Sequence, residues 1–150
     1  MIVNKSSYKI PKKATEAVVE KLFKKFVSNA VFKLHRSRDR YLADITIVFL
    51  NEKEAKKCNV KYRGKKYATD VLSFVNVNRN SGMGELVLCS QVLKKQAKEH
   101  KISFQSEIVY LVIHGFLHLL GYEHETSAKE EKVMLDLQDK LFEAYDKKGK

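Results

Sequence analysis

A chain of 150 residues suits one domain with a single core, and its 44% hydrophobic content excludes wholesale disorder. No apolar run reaches the ~20 residues of a membrane span, and MIVNKSSYKIPKKA lacks the features of a secretory signal. Two cysteines, Cys58 and Cys89, are too few for a disulfide framework, so a cytoplasmic protein with reduced thiols is expected. The net charge is +11, and the excess lies wholly in residues 1–66, which hold 18 basic and 6 acidic residues; residues 67–150 hold 11 and 12. A field this one-sided attracts polyanions, nucleic acid ahead of an anionic membrane surface.

In chain order, residues 2–8 read as a short edge strand. Pro11 then opens a helix over residues 12–32, with Val18, Val19, Leu22, Phe23 and Phe26 at helical spacing and lysines on its outer face. The β-branched run ADITIVFL (43–50) predicts a central strand. Asn51 is placed to cap a short helix over 52–60, and KYRGKKY (61–67) reads as a basic loop. VLSFVNV (71–77) and GELVLCS (84–90) predict two strands of a hairpin, joined by the turn-rich NRNSGMG, and Ser90 a cap for a helix over 91–100. Residues 106–120 are apolar on nearly every side, which predicts a buried helix ended by a left-handed Gly121. Ser127 and Glu130 form a capping box for a last helix with Met134, Leu137, Leu141 and Tyr145 on one face. The expected architecture is α+β, a single domain over 1–150 with about four strands in one mixed sheet and about five helices.

Three of the five histidines, His114, His118 and His124, fall within HGFLHLLGYEH. His114 and His118 are one helical turn apart on one face, and Gly121 lets the chain return so that His124 joins them. H-x3-H-x5-H is the three-histidine spacing of metzincin zinc sites. Three neutral imidazoles leave one tetrahedral position open, the form of a catalytic site; zinc is favoured, with nickel or another divalent ion as alternatives. Packing alone would bury three imidazoles at roughly 1–3 kcal/mol each without partners. Gly115 stands where an H-E-x-x-H protease carries its general base. Glu123 and Glu125 are the nearby acids that could hold a water or orient a histidine.

HGFLHLLGYEH resembles the H-G-x-L-H-L-x-G-Y-D-H signature of the YbeY endoribonucleases, the rRNA maturation factors of bacteria. TDVLSF (69–74), N-x-x-Y-R-G-K (59–65), the pair Gly84-Glu85 and the downstream Met134 match that family in order and spacing, over about residues 43–135. Glu123 and Glu85 stand where the family commonly has Asp.

The resemblance implies a zincin-like domain with His114, His118 and His124 as zinc ligands and Arg63 lining the metal cleft. Asp70 and Ser73 would lie beside that cleft, with Glu85 near it; by their place beside His124 in the chain, Glu125 is a further candidate there and Glu123 the candidate catalytic acid. It implies a single-strand-preferring endoribonuclease acting on rRNA, at the 16S rRNA 3′ end, and in ribosome quality control. Its partners would be RNA and the ribosome or ribosomal proteins, with no membrane. Lys61, Lys65 and Lys66 flank Arg63 and are expected to hold the RNA backbone. Tyr62 and Tyr67 could stack on bases or pack their loop. Two rival readings remain: a zinc-dependent protease or other hydrolase, and an RNA-binding assembly factor whose metal is structural.

Overall fold

The computed structural model describes residues 1–27, 45–76, 83–122 and 127–149. Its four strands are β1 (Ile2–Asn4), β2 (Ile45–Leu50), β3 (Val71–Val75) and β4 (Gly84–Cys89). They form one sheet in the order β1-β2-β4-β3, parallel except for the antiparallel β3–β4 hairpin. β2 is central, as its apolar run predicts; β4 is central as well, and β3 ends the sheet. Five helices accompany it among the described residues: α1 (Lys12–Val27), α2 (Glu52–Arg63), α3 (Ser90–His100), α4 (Phe104–Leu119) and α5 (Ala128–Gly149). No single helix among them is long and apolar enough to cross a membrane.

Strand alternation sorts the core into two faces. Ile45, Ile47, Phe49, Leu86 and Leu88 pack with α1 and α4 into the larger cluster. Leu50, Leu72, Val87 and Cys89 pack with Ala55 of α2 into the smaller one. α4 is the centre of the domain: Ile108, Val109, Val112, Ile113, Phe116 and Leu117 are each no more than 1% exposed. At about 1.5–3 kcal/mol per buried side chain, this helix is fixed by its surroundings. Ser103 caps it, its hydroxyl accepting from the Ser106 N–H at 3.0 Å. Gly121 follows with φ +101°, the expected left-handed turn.

Several boundaries differ from the sequence expectations. α2 runs to Arg63, so Lys61, Tyr62 and Arg63 are its last turn and not a loop; Gly64 (φ 67°) ends it, its N–H bonding back to the Val60 carbonyl. Asn51 precedes α2 without capping it, because its Oδ1 accepts from the N–H and hydroxyl of Ser7 instead. Ser90 is inside α3, its hydroxyl donating to Ser6. Ser127 does cap α5, accepting from the Glu130 N–H at 3.1 Å. The expected helix residues 28–32, strand residues 43, 44 and 77, and turn residues 78–82 lie outside the described residues.

Candidate active site

The open edge of β3 and the flank of α4 enclose a cleft of about 650 Å³. Arg63 and Tyr62 enter it from the end of α2, and Thr69, Asp70 and Ser73 from the approach to and length of β3. His114 and His118 enter from α4. Residues from three elements, spaced over more than fifty positions, thus meet in one place.

The histidines are placed by the helix and held by its neighbours. Their rings lie 4.6 Å apart at 77°. His118 Nδ1 lies 3.0 Å from the Tyr122 carbonyl, which only accepts, so Nδ1 carries the proton and a neutral His118 has its lone pair on Nε2. His114 Nδ1 lies 2.8 Å from Gln138 Oε1 on α5 and donates to it. The two Nε2 atoms then face each other at 3.1 Å. Two opposed lone pairs repel at that distance unless a cation or a proton sits between them. Imidazoles whose Nδ1–H is bonded outward, leaving Nε2 for a shared ion, are the arrangement in which histidine ligates a metal. The donor set therefore fits a borderline cation such as zinc. Among the described residues no group of three potential ligands occurs; His124, Glu123 and Glu125, the third expected ligand and the two acids, lie outside them.

Arg63 is exposed, and the helix and its glycine cap decide where it projects. The cap is supported from within. Asn59 is fully buried, and its Nδ2 donates to the Tyr67 carbonyl at 2.7 Å, tying the 64–67 loop to α2. Tyr62 packs edge-on to Phe74 at 5.0 Å while staying 57% exposed, and the Lys61 ammonium lies 5.1 Å from its ring centre. Lys61, Lys65 and Lys66 are exposed, and Lys53, Lys56 and Lys57 extend the same charge along α2.

Asp70 lines the cleft but is engaged in holding it. Its Oδ1 accepts from the Val71 N–H at 2.7 Å and the Thr69 hydroxyl at 3.3 Å, and its Oδ2 accepts from Gln96 Nε2 at 3.3 Å. Ser73 faces α4, its Oγ 3.3 Å from where a Cβ on Gly115 would stand. Glu85 is not brought to the cleft. Leu86 points at Gly115, so the pleat turns Glu85 to the opposite face, on the side of Leu72 and Val87. Gly84 beside it has φ +154°, and a Cβ there would strike the Phe74 carbonyl oxygen.

Gln138, Asn59 and Gln96 are site supports that the sequence reading did not single out. Gln138 had a signal: at 1% exposure it shares the buried face of Met134 and Leu141, at helical spacings of four and three, where an amide needs a reason to be.

Fold and cleft define an α+β protein whose buried central helix presents paired imidazoles to an open sheet edge, beside a guanidinium. The family model for Endoribonuclease YbeY matches residues 1–146, and the chain belongs to that nuclease family. Relatives called Endoribonuclease YbeY include one from Bdellovibrio bacteriovorus, 44% identical over 99% of this chain and 95% of its own. Another, from Persephonella marina, is 42% identical over 80% and 82%. One from Buchnera aphidicola is 36% identical over 95% and 86%. The solution structure of TM1509 from Thermotoga maritima resembles this fold with a TM-score of 0.59 at 29% identity, covering 97% of this chain and 89% of that one.

Proposed function

We propose that this chain is a metal-dependent endoribonuclease of rRNA maturation and ribosome quality control, acting on single-stranded RNA such as the 16S rRNA 3′ end in the cytoplasm. The observation that carries the proposal is the opposed Nε2 pair of His114 and His118, 3.1 Å apart in a cleft that Arg63 also lines. His114 and His118, with His124 of the same sequence motif, would hold a zinc ion. When bound, that ion supplies Lewis acidity toward a phosphoryl oxygen and a more acidic water.

The protein's own residues do the remaining work. The Arg63 guanidinium binds two oxygens of the scissile phosphate and offsets the charge that builds there. Tyr62, exposed at the cleft rim, stacks on an unpaired base, which a duplex would withhold; this supports single-strand preference. Lys61, Lys65 and Lys66 hold the flanking backbone, and ribosomal partners would meet the same basic surface. Glu123 and Glu125, next to His124 in the chain, are the carboxylates available to move a proton. Gly115 and the basic half-chain favour RNA over a peptide substrate.

Purified protein and its Arg63→Glu and His114→Ala variants, each shown to be folded, are assayed on a single-stranded and a hairpin RNA with and without chelator. Loss of cleavage in both variants and on chelation is expected. Cleavage that persists in both variants overturns the reading and marks a contaminating nuclease or a role in binding alone.

A further inference from the structure

We propose that the backbone N–H and carbonyl of Ser73, turned to the open edge of β3, read the Watson–Crick edge of one unpaired nucleotide in the cleft. The inference rests on the RNA reading above and names how that site takes a single strand.

The hairpin register decides which backbone groups face outward. The Cys89 N–H donates to the Asp70 carbonyl at 2.9 Å, and the Asn76 N–H to the Met83 carbonyl at 3.3 Å. With the β3–β4 register, the bonded pairs are Asp70 with Cys89, Leu72 with Val87, Phe74 with Glu85 and Asn76 with Met83. Val71, Ser73 and Val75 therefore turn both N–H and carbonyl away from β4, to the edge. Asp70 takes the first of these donors: its Oδ1 accepts from the Val71 N–H at 2.7 Å, and Thr69 and Gln96 hold the carboxylate. Ser73 is the first residue with both outward groups open, and among the described residues nothing bonds either.

These groups stand inside the cleft. Ser73 lines it with Tyr62, Arg63, His114 and His118. Its Oγ is 3.3 Å from where a Cβ on Gly115 would stand, one residue past His114. Tyr62, the exposed ring at the rim, packs at 5.0 Å on Phe74, the next residue of the strand. An aromatic face beside an outward donor–acceptor couple is the combination that holds an unpaired base, by stacking and by its edge.

The chemistry favours a base over other occupants. A phosphate has no donor for the Ser73 carbonyl and would meet the Asp70 carboxylate. An added peptide strand would find the Val71 donor already taken, and the basic rim favours a polyanion. Every RNA base has a neighbouring donor and acceptor on its Watson–Crick edge: N6–H and N1 of adenine, N4–H and N3 of cytosine, N1–H and O6 of guanine, N3–H and O4 of uracil. In a duplex the partner base occupies them. A contact made there thus admits a nucleotide only when it is unpaired. Uracil fits whichever way the strand runs, since its N3–H has a carbonyl on each side.

Binding is read by fluorescence anisotropy, with the full chain and a 2′-O-methyl oligouridine whose base edges are those of RNA, and with the same oligomer methylated at every N3. N3-methylation removes the donor of the base, and the wild type is expected to bind the methylated oligomer about 3–10-fold more weakly. Ser73→Pro removes the outward N–H, which makes no ladder bond, so an edge strand accepts the ring. The folded variant is expected to bind oligouridine about 3–10-fold more weakly than wild type. It should also distinguish the two oligomers less, because both losses fall on one pair of bonds. Ser73→Ala, which keeps the N–H, is expected to distinguish them as wild type does. Equal binding of both oligomers by the wild type overturns the proposal without any variant and leaves the edge to an extended peptide. So does a folded Ser73→Pro that distinguishes them fully. A wild type that binds neither oligomer overturns this inference and the RNA reading together.

Discussion

Gly115 and Leu86 approach so closely that a β-carbon on the glycine would lie 2.7 Å from Leu86 Cδ2. Leu86 is fully buried in a central strand and has little room to move. The position that holds a catalytic glutamate in H-E-x-x-H proteases is therefore the contact at which this helix rests on its sheet. Gly115→Ala should gain ~1 kcal/mol of helix propensity and lose about 1–3 to overpacking. The expected outcome is a net loss of stability in urea unfolding, with a larger loss of cleavage, because lifting α4 shifts His114 beside it. Full activity with unchanged stability would show that the contact relaxes freely.

Asn59 tests whether Arg63 is aimed by the loop behind it. Asn59→Ala removes the donor to the Tyr67 carbonyl and should cost about 1–3 kcal/mol for the buried bond lost. Asn59→Asp should cost more, since it sets a carboxylate oxygen against that carbonyl. Both should lower cleavage beyond the effect on stability. Thermal melts and single-turnover cleavage measure the two quantities separately, and equal stability of the Ala and Asp variants would count against the bond.

The pair His100–Glu107 should make stability depend on pH. The Glu107 carboxylate bonds His100 Nδ1 at 2.9 Å and, with its charge, raises the imidazole above its ordinary range; burial opposes this weakly and Glu99 adds to it. A raised folded-state value means the contribution is fully present below about pH 6.5 and is lost as pH rises through the raised value. Half the His100 side chain is in water, so the slope is shallow. The stability difference between wild type and His100→Gln should shrink across that window; a difference that grows with pH would contradict the assignment.

RNA affinity should fall steeply with salt. Each phosphate contact contributes about −0.9 to the slope of log K against log salt on a duplex and −0.7 on a single strand. Replacing Lys61, Lys65 and Lys66 together by Gln should reduce the slope by about 2 on a single-stranded RNA while sparing the fold, as all three are exposed. Fluorescence anisotropy across a salt series checks this, and an unchanged slope would take these lysines off the RNA path.

Most of the framework is readable from residue pattern alone. The β3–β4 hairpin, the central place of residues 45–50 and the buried histidine helix follow from periods of two and 3.6 and from glycine at 121. What the pattern hides has physical causes. Lys61–Arg63 carry no apolar stripe, so the helix looks finished at residue 60, although Gly64 is its true stop. GELVLC is buried on both faces, so its apolar run does not tell which face Glu85 takes. Asn59 and Gln138 look like surface residues because their type is usually exposed; only their contacts with Tyr67 and His114 explain them. The contribution of Gln138 is made 24 positions along the chain, beyond any local motif.

That separation orders events during synthesis. By the time His114 and His118 have left the ribosome, α4 has its sheet to pack on, yet the partner of His114 still lies in the tunnel or has not been made. Only when α5 emerges and docks does the first histidine acquire its bond to Gln138. The histidine pair is thus completed among the last steps of the chain's maturation, and an unfinished chain that has folded its sheet still lacks a fully set pair.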